Sequence, residues 1–566
     1  MNKNKPAIYP LNAWEVTEEC FDIKTNYRNE TTFALSNGYI GTRGTMEEAY
    51  DFDVDTGMEG NFINGFYEST DIRYGEANFG SPLRSQTLLN LPNMKETKVC
   101  LDGEEFSLLE SCVSDYKRTL YLKEGIVRRS LVWTTKTGKQ VQMDTLRLVS
   151  FDRKHVMLQK MCLTALNFDG EIEVKSKLNA NVENQTRKTN PIVDYGPFGP
   201  RLNPDLFGAD GTKLTYVGTT IGSKLSMGCG SDIRVFPVEA VKEINAKIDK
   251  LEAVSELKLQ LNQNDTVALD KFMVYVSCLD EYEGHLEEFV QEELNSAMQI
   301  GAEELINRQK AYVEDFWQRA AIQIEGEDAL STIQGLNFNL FHIFQGAGRD
   351  GKCGMPAKAL TGEGYEGHYF WDTEMYMIPL FIYTQPEVAK ALLSWRFHTL
   401  DQARARARVM GHPVGALFPW RTINGEEAST YYPLGSAQYH INADVSYAVN
   451  LYYQVTGDED FMIHEGAEIL IETARVWADV GSFSEVKGGK YCICSVTGPD
   501  EYNVLVDNNF YTNLMARENL RDAVEVVRLL EEKAPEKLEE LKCRIGFSVD
   551  ELSLWEEIIE KMYFPY

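Results

Sequence analysis

The stretch SVTGPDEYN, residues 495–503, sets Asp500 and Glu501 side by side between a glycine-proline pair and Tyr502. Neighbouring carboxyls suit proton transfer, because one negative charge makes the other group hold its proton more tightly. Gly498 and Pro499 predict a rigid turn that would hold both acids in place. The residues alone leave open which of the two acts, and on what.

A second cluster lies upstream. TGEGYEGHYFWDTEMY, residues 361–376, crowds His368, Tyr369, Phe370, Trp371, Asp372 and Glu374 among glycines, just ahead of an apolar helix start. Core packing explains some of the aromatics, but not so many carboxylates and an imidazole in one window. A sugar ring has apolar C–H faces and a rim of hydroxyls, so its recognition asks for an aromatic face beside a carboxylate acceptor. Trp371 next to Asp372 supplies both; a buried structural network is the competing reading. HPVGALFPWRTINGEEASTYYP, residues 412–433, repeats the chemistry with Trp420, Arg421, Asn424, Glu426, Glu427, Tyr431 and Tyr432. Loops of that length are functional or disordered, and the aromatics argue against disorder.

Other signals read as structure. GAGRDG, residues 346–351, matches the dinucleotide-binding glycine pattern, but it follows a helical pattern and opens no helix, so it reads as a helix-ending loop. Cys492 and Cys494 lack His or Cys partners at zinc spacing and read as strand residues. His464 carries no spacing signal.

The elements that must position the two clusters fall into three stretches. Residues 1–275 form an expected antiparallel β-sandwich: QVQMDTLRLVSF, HVMLQKMCLTAL, EIEVKSKLNANV and DKFMVYVSCL carry period-two or continuous apolar runs between turn signals. From about residue 276 to 325 apolar residues recur every three or four positions, which predicts a helical linker whose acids form a solvated face. Residues 326–566 read as paired helices joined by polar, aromatic-rich loops, a toroid or a bundle. The fold class is therefore α+β and multidomain.

The 566 residues are 43% hydrophobic and carry a formal net charge of −30, a soluble composition that disfavours nucleic acid and anionic membrane surfaces as partners. Neither a secretory leader nor a run of about 18 apolar residues appears, and ten scattered cysteines suit reduced thiols, so a cytoplasmic protein is expected.

Longer strings carry a resemblance. ALSNGYIGTRGTMEE at 34–48, LTGEGYEGHYFWDTE, FPWRTINGEE, YHINADVSYA and TGPDEYN, spread along nearly the whole chain, resemble glycoside hydrolase family 65, the inverting α-glucoside phosphorylases of trehalose, kojibiose, nigerose and maltose. The resemblance implies a β-sandwich, a helical linker, an (α/α)6 barrel and a small C-terminal β domain. Because only about eight helical segments follow the linker, the barrel is expected to be incomplete here, with phosphate-binding residues lying downstream of Tyr566.

By the same match Glu501 is the general acid, its proton retained by apolar surroundings or by Asp500, with Tyr502 orienting it. Trp371 and Asp372, with His368 nearby, would hold the glucose whose anomeric carbon reacts. Trp420, Arg421, Asn424, Glu426 and Glu427 would face the leaving sugar, and GEEASTYYP is more similar to the trehalose, nigerose and kojibiose types than to the maltose type. No cofactor or metal is implied; inorganic phosphate is the co-substrate, and the product is β-glucose 1-phosphate. Expected partners are the disaccharide and phosphate, with a homodimer or a complementary C-terminal chain. The alternatives are a hydrolase of the acid trehalase kind, or a non-catalytic fragment that needs such a chain.

Overall fold

Strict alternation in strands such as Gly170–Asn179, where Ile172, Val174 and Leu178 are buried and their neighbours are not, demands a partner sheet on one side. A computed structural model, which describes residues 7–49, 56–76, 78–185, 193–194, 196–431 and 434–565, supplies it. Nine antiparallel strands run in the order Glu15–Glu18, Cys112–Tyr121, Ile126–Thr134, Gln140–Val149, Val156–Ala165, Thr266–Ser277, Ser226–Phe236, Lys213–Thr220 and Leu202–Asp210. Facing them is a sheet ordered Val241–Asp249, Glu252–Leu261, Gly170–Asn179, Thr97–Leu101 and Glu104–Glu105. Trp133, Val141, Met161 and Leu163 of the larger sheet meet Val99, Ile172, Leu257 and Leu259 of the smaller one, forming the sandwich core.

Thr266–Ser277 has no polar face because it is covered twice. Phe272, Val274 and Val276 pack against Phe289, Val290 and Leu294 of the helix Leu286–Ile300, the first helix after the sandwich. Continuous apolar runs are what strands buried on both faces require. Gly301, at φ 82°, ends that helix and starts Ala302–Ala320. The second helix turns Val313, Phe316 and Trp317 into a core shared with Leu340, Phe341 and Phe344 of Ala329–Gly346, where the Phe316 and Phe344 rings stack at 4.2 Å. Each such fully buried side chain contributes about 1.5–3 kcal/mol, so this shared core joins the sandwich to the helical domain.

One element departs from the sequence expectation. Ile23–Thr32, within the stretch read as β, is a helix whose buried residues are Asn26, Asn29, Glu30 and Thr32. Its packed face is polar: Asn29 donates to Glu18, Asn26 to the Thr56 carbonyl, and Glu30 pairs with Arg43. With no apolar stripe, periodicity had nothing to register.

The C-terminal domain packs Pro386–His398, His440–Thr456, Ala467–Val480 and Phe510–Lys533 around one core that includes Leu392, Val445, Trp477 and Leu520. π-helical turns at Thr373–Met377 and Met462–Gly466 lead into the helices that begin at Ile378 and Ala467. Such turns shift the register by one residue, and the first begins immediately after Asp372. GAGRDG is where Ala329–Gly346 ends, with Gly351 at φ 75° and Arg349 donating to the Asn37, Ala347 and Phe344 carbonyls. His464 is exposed. No helix among the described residues is long and apolar enough to cross a membrane.

Candidate functional site

Val496 and Val506 exchange backbone hydrogen bonds of 3.0 and 2.8 Å, closing a loop that holds GPDEYN. Thr497 N–H donates to the Ala437 carbonyl at 3.0 Å, docking the loop against the residues ahead of the helix His440–Thr456. Gly498 permits a close approach there, since a Cβ at that position would lie 2.5 Å from the Asn509 side chain. Asp500 accepts the Tyr502 N–H at 3.0 Å, a local turn bond, whereas the Tyr502 ring is 93% exposed.

Glu501 lies at the surface of this loop, and its Oε1 accepts a 2.9 Å bond from Gln438 Nε2. The chain of contacts continues inward. Gln438 Oε1 meets His440 Nε2 at 3.1 Å, His440 Nδ1 meets Asp444 Oδ2 at 2.7 Å, and Tyr511 donates its hydroxyl proton to Asp444 Oδ1 at 2.6 Å. His440 and Asp444 are wholly buried. Burial raises the Asp444 carboxyl, while the hydrogen bond and charge of His440 oppose the rise. The Tyr511 hydroxyl is likewise pushed up, first by burial and then by the Asp444 charge.

Trp371 packs on this chain, its ring perpendicular to His440 (79°) at 4.9 Å between centroids. Asp372 is open to solvent on one side, yet its carboxyl is raised, first by desolvation and then by the negative charges of Glu374 and Glu501. Through these contacts Asp372 feels the charge of Glu501, and Trp371 packs on the His440 that Gln438 links to Glu501. Glu374 stands apart, buried in a two-pronged pair with Arg396 at 2.6 and 2.9 Å.

The structure sorts the remaining predicted residues differently from one another. His368 is fully buried, contacts the Gln86 carbonyl through Nε2 at 2.5 Å, and is pushed down to about 3 by burial and by the Arg421 charge. Among the described residues its Nδ1 finds no hydrogen-bond partner. Glu427 accepts three backbone N–H groups, from Trp420 at 2.8 Å, Arg421 at 3.3 Å and Ser429 at 2.9 Å, so it shapes the loop from within. Trp420 and Arg421 are also buried, with the guanidinium 5.3 Å from the Phe370 ring centroid and 6.0 Å from those of Trp420 and Tyr431. Asn424 and Glu426 bond to each other at the rim, where Glu426 is exposed. Tyr432 lies outside the described residues.

Sequence reasoning assigned no role to Gln438, His440, Asp444, Tyr511 or Gln86. His440 and Asp444 stand four apart on one helix, a spacing that puts both on one face. Nothing local marks Gln86, a sandwich-domain residue whose Oε1 accepts the Ile423 and Asn424 N–H groups at 2.6 and 3.1 Å and whose Nε2 donates to the Glu426 carbonyl at 3.2 Å. Tyr67 adds a hydroxyl that accepts from Asn424 at 3.0 Å. The N-terminal domain thus holds the 412–431 loop in place. Among the described residues no three His, Cys, Asp or Glu side chains converge to hold a metal ion.

Comparison with known proteins agrees with this architecture. Residues 16–316 match the glycosyl hydrolase family 65 N-terminal domain, and residues 337–566 match the family's central catalytic domain. The chain is 41% identical over 565 residues to an alpha,alpha-trehalose phosphorylase of Thermoanaerobacter brockii, covering 100% of this chain and 72% of that protein. It is 32% identical to a kojibiose phosphorylase of the same organism, over 98% of this chain and 71% of the relative. A solved structure named "Putative kojibiose phosphorylase from human microbiome" superposes with a TM-score of 0.88 at 25% identity, covering 98% of this chain and 70% of that one. The chain belongs to glycosyl hydrolase family 65.

Proposed function

We propose that this protein catalyses the inverting phosphorolysis of an α-linked glucose disaccharide, with α,α-trehalose the first substrate to test. Trp371 offers its ring to the C–H face of the non-reducing glucose, and Asp372 accepts from the hydroxyls of the same sugar. A phosphate oxygen forms a bond to the anomeric carbon from the β face as the glycosidic C–O bond breaks. The bonding pair stays on the leaving oxygen, which takes the proton of Glu501. The products are β-glucose 1-phosphate and a free sugar.

What supports the reading is that the charge of Glu501 acts on Asp372, the neighbour of Trp371, on a chain 41% identical over its length to a trehalose phosphorylase. An inverting hydrolase needs a second carboxylate to activate water, whereas phosphate arrives already anionic and needs no such base. The rim formed by Asn424 and Glu426 would face the leaving sugar, where linkage is chosen. Incubating the protein with a panel of glucose disaccharides, with and without phosphate, and following the anomeric protons by NMR tests the proposal. Phosphate-dependent formation of the β-phosphate is expected. Glucose release at the same rate without phosphate would replace the phosphorylase by a hydrolase.

A further inference from the structure

The Gln438 amide joins two regions with different exposure and an order that hydrogen bonding fixes. Glu501 is solvent-exposed on a loop, while His440 and Asp444 are fully buried on a helix. Gln438, itself 3% exposed, touches both. With Nε2 donating to Glu501 Oε1, the amide oxygen is left facing His440 Nε2, which must carry a hydrogen to fill that contact. One further proton is held between His440 Nδ1 and Asp444 Oδ2, and the Tyr511 hydroxyl fixes the other carboxylate oxygen. The Trp371 ring restrains the imidazole from one side.

The sense of the amide matters for chemistry. Reversed, it would offer its oxygen to Glu501 and draw the acidic proton onto Oε1, where it would be spent on Gln438. In the observed sense Oε1 is already an acceptor, so a proton on Glu501 must sit on Oε2, free to reach a leaving group. The Thr497–Ala437 backbone bond keeps the loop and the amide at this separation.

We propose that Gln438 is the positioning residue of the general acid: held by His440 and Asp444, its amide engages Glu501 Oε1 and so reserves Oε2 for the proton that goes to the leaving sugar. This rests on the reading of Glu501 as the acid. Asp444, His440 and Tyr511 act through Gln438.

The test compares Gln438→Leu with Glu501→Gln on two donors, the disaccharide and α-glucosyl fluoride, whose leaving fluoride needs far less help from a proton. For Gln438→Leu, kcat on the disaccharide should fall about 10- to 100-fold, a part of the 10²–10⁴ that general acid catalysis supplies, with KM changed less than about threefold. Turnover of the fluoride should stay within about threefold of the parent. Equal losses on both donors, or a rise in KM alone, would overturn the proposal, since either would mean a binding or folding role. If Glu501→Gln keeps its disaccharide activity, the reading of the acid has failed instead. A crystal structure of Gln438→Leu then decides the positional claim independently of activity: Glu501 turned away from its parent rotamer supports it, and an unmoved Glu501 carboxylate refutes it.

Discussion

Between Val496 and Val506 a loop closed by one pair of backbone bonds presents an exposed acid that accepts a side-chain hydrogen bond from Gln438. Between His412 and Tyr431 a second loop with paired acids turns its tryptophan, its arginine and one of its acids inward, and ties its backbone to Gln86 of the other domain. Both carry a pair of adjacent acids, Asp500 with Glu501 and Glu426 with Glu427. The difference is where each carboxylate's hydrogen-bonding capacity is used. Glu427 commits both its oxygens to three backbone N–H groups, while among the described residues Glu501 accepts through Oε1 alone. Chemistry follows spare capacity at a defined place more closely than it follows residue type.

That contrast can be broken at several points. The largest effect belongs to Glu501→Gln, which should lower turnover by about 10²–10⁴-fold or more while leaving sugar affinity within about threefold, measured by steady-state kinetics beside calorimetric binding. Affinity lost in parallel with turnover would place Glu501 among the binding groups.

Next comes acid. His368 is held near a pKa of about 3 in the fold against about 6.5 when unfolded, so the unfolded chain binds the extra proton between these values. Stability is therefore full above about pH 6.5 and declines as pH falls toward 3, by at most about 1.4 kcal/mol per unit. Because His368 contacts Gln86, this acid loss should reach the 412–431 loop first. His368→Gln should flatten the acid limb of a denaturation series; an unchanged limb would remove His368 as its cause.

Glu427→Ala strands three buried N–H groups and should cost about 3 kcal/mol, seen as a lower first thermal transition and faster proteolysis within 412–431. A variant with the parent's stability and altered substrate choice would make Glu427 a binding residue after all. Asp372→Ala should weaken glucose binding by about 1–3 kcal/mol whichever leaving sugar is offered. Smallest is Glu426→Ala, an exposed rim change worth under about 1 kcal/mol, which should shift preference among disaccharides without touching glucose affinity.

Much of the fold is legible in the sequence, for physical reasons. Strands such as Gly170–Asn179 alternate because one face meets a sheet, and the linker helices repeat every three to four residues because one stripe meets a sheet. The polar helix Ile23–Thr32 is not legible, since its buried face consists of Asn26, Asn29 and Glu30 with their partners. In the site, Trp371 beside Asp372 and the acids of GPDEYN are visible as composition. Whether Glu427 and Glu501 point inward or outward is not, because that depends on backbone N–H groups and on Gln438, 63 residues before Glu501. His368 shows the same limit: its neighbours in sequence are the proposed glucose-binding residues, and its hydrogen bond goes to a carbonyl 282 residues away.

The central claim is that of the two adjacent acids Glu501 delivers the proton and Asp500 holds the turn, accepting the Tyr502 N–H. Measuring kcat of Asp500→Asn and Glu501→Gln side by side, with phosphate and the preferred disaccharide, tests it most directly. Loss of about 10²–10⁴-fold in Glu501→Gln, with Asp500→Asn within about tenfold of the parent, is the expected result. An inactive Asp500→Asn beside an active Glu501→Gln would contradict it and move the acid by one residue.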